Sequence, residues 1–591
     1  MEEVQHKKGA VPPRINRFGV VVASFAALLV VVLVVFGSYN RASDDDLGIA
    51  FALSGLYPDS GLCLFVNAFI SHFTIVVSNL FPGINAFFVI EYCLAALGVF
   101  VFAYAAIAFL DDHVVAFCTI GLLILLLVPA CTFLKNFTVV ATLITLAGSF
   151  VLVMQICQKR SSVLLTVVAV ILCVFGFMMR WESFLLAMPF VFIAFAQKLW
   201  FKVAHKKPST DVKGVVLKLV PIAAVFALCA CAYVYDSVEW SSPEWSEWKA
   251  YNSARSEISD YLMPDYPKIE TELSAGGITE TDYYFAQSWR TADKDVFTVD
   301  SLEFIASFGE EVGNEAIAEK MLKKALSWMA RYWYGIPIAV VLLVLYIMRA
   351  RKLSAISNVA VIAAIVLFVV VTTYLASGGR LPQRVMYSLI ANAVVCLAAI
   401  VGDKASIGQR YRDSQSSEKT RNIACALSLA FCVIAAGVVV VSSQPSLDGF
   451  GSNDSEGDFS SNPSITGYLR SNEDTLFVMD TKVEYHYLGE YDMKTIPPQN
   501  ELMRIFLLGG WTTGSPFINA RNEMMGMDNV MKGLVENERA RYLVVKSNEY
   551  RVKEMEVFLE THYWNDVEAK LVDSFKTDEY EYFVYDFSVA A

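Results

Sequence analysis

Cysteine chemistry is absent from every hydrophilic part of this chain. The eleven cysteines, Cys63, Cys93, Cys118, Cys131, Cys157, Cys173, Cys229, Cys231, Cys396, Cys425 and Cys432, lie in or at the ends of hydrophobic runs, and no two form a CxxC pair. That excludes a disulfide framework and a Cys-based zinc site. The six histidines are scattered and build no HExxH helix. There is no glycine-rich phosphate loop, no obvious catalytic triad and no internal repeat. Basic residues form no stripe with interleaved aromatics, so nucleic acid is excluded as a partner.

What the chain has instead is apolar surface. Its 591 residues are 55% hydrophobic, with a mean hydropathy of +0.47, and apolar runs of about 20 residues, the length that crosses a bilayer, recur along it. The fold class predicted is mostly α, a polytopic transmembrane bundle of about eleven spans with membrane-surface helices and a C-terminal extracytoplasmic α/β domain. The predicted spans are Phe18 to Phe36, Ala86 to Leu110, Val114 to Cys131, Phe137 to Cys157, Val163 to Met179 and Ser183 to Phe201, followed by Val215 to Tyr235, Trp333 to Met348, Ala355 to Ala376, Val385 to Val401 and Ile423 to Ser443. The first follows a basic arm with Lys7, Lys8, Arg14 and Arg17 and lacks a small-residue cleavage site, so it reads as a retained signal anchor.

Lys and Arg collect in short cytoplasmic loops, and this rule sets the orientation. The N-terminal arm, Lys159/Arg160, the stretch Lys198 to Lys213, Met348 to Lys352 and Asp403 to Arg421 all face inside if the apolar run Leu62 to Phe81 is a re-entrant or membrane-surface helix and not a span. The N-terminus is then cytoplasmic, the C-terminus extracytoplasmic, and the chain sits in the cell (plasma) membrane. The formal charge of −12 comes almost wholly from the segment after Ser443, where acids outnumber bases about two to one.

The parts follow from this topology: 1–17, a cytoplasmic arm; 18–235, an N-terminal transmembrane catalytic module with an outer loop 40–85; 236–332, an extracytoplasmic helical loop; 333–443, a second transmembrane module; and 444–591, an extracytoplasmic α/β domain. The last contains strand-like runs at Thr475 to Asp480, Arg541 to Ser547 and Glu581 to Phe587, alternating with helical patterns at Glu501 to Leu508, Asp528 to Asn537 and Tyr550 to His562. Helical patterns also mark Ser301 to Phe308 and Asn314 to Met329 in the long loop, behind a cluster of Trp240, Trp245, Trp248 and Tyr251 suited to headgroup depth.

Charges at span ends on the outer face are the informative ones, because charge beside hydrocarbon is costly unless it binds something. NRASDDDLGIAFALSGLYPDSG (Asn40 to Gly61) sets Asp44, Asp45 and Asp46 ahead of an interfacial helix ended by Gly55 and Pro58. Carboxylates at a helix N-terminus cap its free N–H groups, each for about 1 kcal/mol or less, which accounts for one or two of the three. Asp44 is assigned the cap. Arg180 sits between two spans beside Trp181 and Glu182, and Arg380 and Arg384 lie in ASGGRLPQRVMYS. Arg180 has two readings, an ion pair with Glu182 or an anion contact. Arg380 and Arg384 follow a Gly-Gly, and guanidinium forks match phosphate oxygens. Lys135, on the outer face, is a further candidate for anion contact. Asp111-Asp112-His113 falls in a tight cytoplasmic turn and reads as a solvated loop. Glu91, inside a span, reads as satisfying a neighbour across the bundle.

This arrangement resembles the GT-C class of membrane glycosyltransferases, which includes protein O-mannosyltransferases and bacterial aminoarabinose transferases. The likeness is carried by the acidic pair after the first span, the first outer loop with two surface helices, the large outer insertion after the seventh span and the extracytoplasmic tail. It more closely resembles bacterial polyprenyl-phosphate-sugar-dependent transferases with a DDxxxxxxxSG pattern, matched by Asp45, Asp46, Ser54 and Gly55, and a GRxPxR stretch, matched by Gly379, Arg380, Pro382 and Arg384. The resemblance implies transfer of a sugar from a polyprenyl-phosphate donor to a cell-surface or cell-wall glycan or lipid acceptor, inverting the anomeric centre. It implies catalytic roles for Asp45 and Asp46, donor-phosphate binding by Arg180, Arg380 and Arg384, and substrate contact by Asp44, Lys135, Glu182 and Trp240. Membrane lipids are implied partners. In metal-dependent members a first-loop acid also ligates a divalent cation, Mg or Mn; here Lys135 stands where those members have another acid, which leaves the cation open. Two other functions fit the composition: a transporter or flippase of lipid-linked saccharides, and a non-catalytic polysaccharide assembly protein.

Overall fold

The computed structural model describes residues 16–36, 45–132, 136–158, 161–204, 212–261, 263–311, 353–377, 382–402, 464–491, 494–577 and 580–590, with position 347 and parts of 423–438. Asp44, Lys135, Arg380, the span Trp333 to Met348 and the helical pattern Asn314 to Met329 lie outside the described residues.

The membrane part is built from α1 (Arg17–Phe36), α4 (Ala86–Phe109), α5 (His113–Thr132), α6 (Phe137–Gln155), α7 (Val163–Met179), α8 (Trp181–Ala204), α9 (Val212–Glu239) and two later helices, Ala355–Ser377 and Gln383–Val401. Among the described residues seven helices are long and apolar enough to cross a bilayer, and α5 and α7 are apolar helices close to that length. Large apolar side chains such as Phe25, Leu28, Leu164, Leu217, Phe226 and Val370 stand on the outside of the bundle. A water-facing surface does not sustain an apolar face of that extent, so this is a multi-pass membrane protein.

At the centre lies α6, buried along its whole length and packed on α4, α7, α8 and the helix Gln383–Val401. Small residues permit this closeness. A Cβ at Gly148 would lie 2.5 Å from the Ala169 carbonyl oxygen, and one at Gly176 would strike Thr145. Hydroxyls then stitch the helices: Thr142 Oγ1 lies 2.7 Å from Ser388 Oγ, and Ser183 Oγ donates to the Thr138 carbonyl at 3.2 Å.

Two short helices occupy one end of the bundle. α2 (Asp45–Ala52) packs on α4 and buries Leu47, Ile49, Ala50 and Phe51. It stops just before a turn in which Gly55 takes φ +73°. α3 (Ala68–Leu80), capped by Asn67, has 13 residues, about 20 Å of helix, too short to span. The run Leu62 to Phe81 therefore folds as a short helix beside α4, α7 and α9.

The C-terminal residues form a five-stranded sheet of order β2-β1-β3-β5-β4, with β1 (Leu476–Met479), β2 (Ile505–Leu507), β3 (Ala540–Val545), β4 (Val567–Lys576) and β5 (Glu581–Val589). β2, β1 and β3 are parallel, and β5 and β4 join antiparallel. One expectation is corrected here. Glu501 to Leu508 is not one helix but a short turn of helix, Gln499–Leu502, followed by β2, because Ile505 to Leu507 pair with Phe477 to Met479 and bury their backbone in the ladder. β4 was also not anticipated; its residues are largely exposed, so it lacks the clear apolar alternation that marks a half-buried strand.

The long loop and this sheet share one apolar core. Phe285 stacks on Phe558 at 4.9 Å, the Ala292 N–H donates to the Leu508 carbonyl at 2.9 Å, and the Tyr563 hydroxyl donates to Asp293 at 2.7 Å. The sheet domain is also tied to the first loop. Ile84 bridges Thr495, the Asn85 N–H donates to the Lys494 carbonyl at 3.0 Å, and Gln499 Nε2 donates to the Leu56 carbonyl at 2.7 Å.

Candidate active site

The first turn of α2 carries Asp45 and Asp46 on different sides, and the packing gives them different surroundings. Asp45 is about a quarter exposed, and its Oδ2 accepts from Arg384 Nη1 at 2.6 Å. Arg384 is presented by the first turn of Gln383–Val401, which begins after Pro382. Proline there fixes the backbone for a helix start without losing a needed donor.

Asp46 points inward and is 1% exposed. Its Oδ1 accepts the Phe137 N–H at 2.8 Å, one of the free donors at the start of α6, where the helix dipole favours an acceptor. Its other oxygen faces Glu91, itself buried in α4. Burial pushes the Asp46 carboxyl up to about 7, with Asp45 adding to the rise and the Phe137 N–H, Glu91 and Arg384 opposing it. Glu91 thus has the cross-bundle neighbour that its place inside an apolar span calls for.

Arg180 caps the end of α7. Its Nε lies 3.1 Å from Glu182, and its guanidinium carbon is 5.5 Å from the ring centroids of both Phe65 and Phe137. The ion pair with Glu182 and the aromatic clamp are both present. Asp45 and Arg180 act in opposite directions on the buried Cys63 thiol, which burial pushes up to about 12, so the two charges belong to one neighbourhood. Trp240 lies elsewhere. It is buried in a cluster with Trp245 and Trp248, at 5.9 and 5.7 Å between ring centroids, next to Phe517.

A cavity of about 300 Å³ opens between α2 and the sheet domain, lined by Asp45, Gly48, Tyr57, Trp289, Trp511 and Arg521 among others. Trp511 closes down on α2 because residue 48 is glycine: a Cβ there would sit 2.9 Å from its indole. Phe65 meets the other side of that indole at 4.8 Å. Glu91 was marked by its place in a span, but Tyr57, Trp289, Trp511 and Arg521 carry no sequence signal of their own; only the folding of the tail onto the first loop assembles them.

A divalent cation does not fit the described residues. No group of three or more potential ligands forms among them, Asp45 is bound to a guanidinium, and Asp46 receives an N–H and a carboxyl.

Fold and site together define a multi-pass membrane protein with an acid and arginine centre at one end of its bundle. No protein-family model matches the chain, and no curated protein matches it. Among solved structures it is similar to ArnT from Cupriavidus metallidurans in the apo state, with 11% identity over 96% of this chain and 97% of that one and a TM-score of 0.40. It is also similar to the same protein bound to undecaprenyl phosphate, with 10% identity over 96% and 98% and a TM-score of 0.34. The likeness is one of outline.

Proposed function

We propose that this protein is a GT-C type glycosyltransferase that moves a sugar from a polyprenyl-phosphate donor to a glycan or lipid acceptor at the extracytoplasmic face of the plasma membrane. The observation that carries the reading is the Asp45–Arg384 pair on the wall of the cavity. A carboxylate held next to a guanidinium, at the height where apolar helices end, offers a base and an anion clamp side by side.

In this reading Asp45 takes the proton from the acceptor hydroxyl or amine as that atom attacks the anomeric carbon. The bond from the anomeric carbon to the phosphate oxygen breaks, and the polyprenyl phosphate leaves with both bonding electrons. One displacement inverts the centre. Acid–base help of this kind is worth roughly a hundredfold to ten-thousandfold. Arg384, together with Arg180 and Arg380, stabilises the charge that grows on the leaving phosphate. Arrival of that phosphate draws Arg384 from Asp45 and frees the carboxylate as base. Asp46, shut away with Glu91, positions the first turn of α2. Glu182 orients Arg180, and Asp44, Lys135 and Trp240 are assigned to substrate contact or its support. The segment 18–235 is the catalytic module, 333–443 supplies Arg380 and Arg384, and 236–332 and 444–591 cover the site. The N-terminus is cytoplasmic in this scheme.

Purified protein in proteoliposomes, given a panel of polyprenyl-phosphate sugars and followed by mass spectrometry, tests it. Turnover by the native chain and near-complete loss in Asp45→Asn, with normal membrane insertion, is the expected result. Full transfer by that variant would overturn the assignment.

A further inference from the structure

Arg521 stands on the cavity wall with a charge that no partner balances. It belongs to the helix Pro516–Met524 and is 2% exposed. Its Nε donates to Asn522 Oδ1 at 3.0 Å, and its Nη1 donates to the backbone carbonyls of Ile505 and Leu502. The guanidinium carbon lies 4.5 Å from the Phe506 ring centroid and 5.9 Å from that of Tyr57. Every one of these partners is neutral. Among the described residues no carboxylate pairs with Arg521 and Nη2 has no acceptor. Glu484 shares the cavity but forms no ion pair with it.

A buried guanidinium without a counter-charge costs several kcal/mol. Burial accordingly pushes Arg521 down to about 10, still charged at neutral pH. Asn522 and the two carbonyls engage Nε and Nη1, and the N–H groups of Nη2 are left to donate to the oxygens of an oxyanion. Asp45 lines the same cavity.

We infer that Arg521 anchors an oxyanion subsite, taking a phosphate or carboxylate group on the acceptor and holding that acceptor in the cavity opposite Asp45. The oxyanion binding stands on the geometry alone; its attribution to the acceptor rests on the transfer reading above. Tyr57 and Phe506 wall the subsite with aromatic faces, and Trp289 and Trp511 in the same cavity provide a signal.

The full-length protein in nanodiscs, with neither donor nor acceptor, is titrated with inorganic phosphate and separately with acetate at constant ionic strength, reading tryptophan emission. A saturable change is expected, stronger with phosphate if the acceptor group is a phosphoester and with acetate if it is a carboxylate. Arg521→Gln should weaken it by about tenfold or more, while Lys268→Gln, at an exposed lysine outside the cavity, should retain it. If Arg521→Gln does not fold, Arg521→Lys carries the test, since a point charge without the fork should bind more weakly. The inference is overturned if neither anion gives a saturable change, if the folded Arg521 variants titrate like the native chain, or if Lys268→Gln weakens the signal as much as Arg521→Gln. Because no sugar is transferred, failure of the glycosyltransferase reading leaves this outcome standing, and the reverse holds too.

Discussion

Arg384 Nη1 donates to Asp45 Oδ2 at 2.6 Å across 339 residues of sequence, joining the first turn of α2 to the first turn of Gln383–Val401. Arg384→Gln removes the partner of Asp45 and, under the proposed function, the phosphate clamp with it. Sugar transfer in proteoliposomes should fall on the order of a hundredfold, with Arg384→Lys intermediate because an ammonium cannot form the fork. In a double-mutant cycle, Asp45→Asn with Arg384→Gln should lose little more than Asp45→Asn alone, since the two act as a unit. Additive losses would show that they work separately.

The carboxyl pair sets a pH dependence of a definite sign. Because the Asp46 carboxyl is raised to about 7 by burial, the folded state holds its proton more tightly than the unfolded chain. That contribution is complete below the ordinary carboxylate range and is lost as pH rises toward about 7. Thermal unfolding of the detergent-solubilised protein, measured from pH 4 to 8, should show this decline, and Asp46→Asn should flatten it. A variant that follows the native profile would place the proton elsewhere.

His486 acts in the opposite direction. It is buried, its Nδ1 lies 2.8 Å from the Tyr582 hydroxyl, and burial lowers it to about 4, with Lys482 adding to the fall. The folded state therefore disfavours its protonation, and stability present above about pH 6.5 is lost as pH falls toward 4. His486→Asn should remove this acid sensitivity from the same unfolding series while leaving the Asp46 decline in place.

Gly48 decides whether Trp511 can lie on α2. Alanine improves helix propensity by about 1 kcal/mol, but its Cβ would sit 2.9 Å from the indole, and overpacking costs about 1–3 kcal/mol. Gly48→Ala should be destabilising on balance, and Trp511→Phe in the same chain should recover part of the loss. Melting temperatures of the single and double variants decide it.

Most of the helical bundle could be read from sequence because hydrocarbon thickness writes a coarse signal, long apolar runs between basic loops. The short strand Ile505 to Leu507 could not, since three apolar residues fit a helix or a ladder equally and only pairing with β1 decides. Asp45 and Arg384 were both visible as charges at span ends, and their contact was not, because helix packing fixes which span ends meet. Glu91 advertised a partner by being charged inside a span without naming Asp46. Arg521 was invisible. An arginine in a soluble segment looks solvated until the fold buries it.

The bridge from Ile84 to Thr495 and the bond from Gln499 to Leu56 fasten the sheet domain to the loop that carries Asp45. The sheet domain and the loop that carries Asp45 are therefore held to one another. Arg384 joins the same loop to the helix Gln383–Val401, so a loosened sheet domain pulls on the one segment whose position sets the Asp45–Arg384 distance.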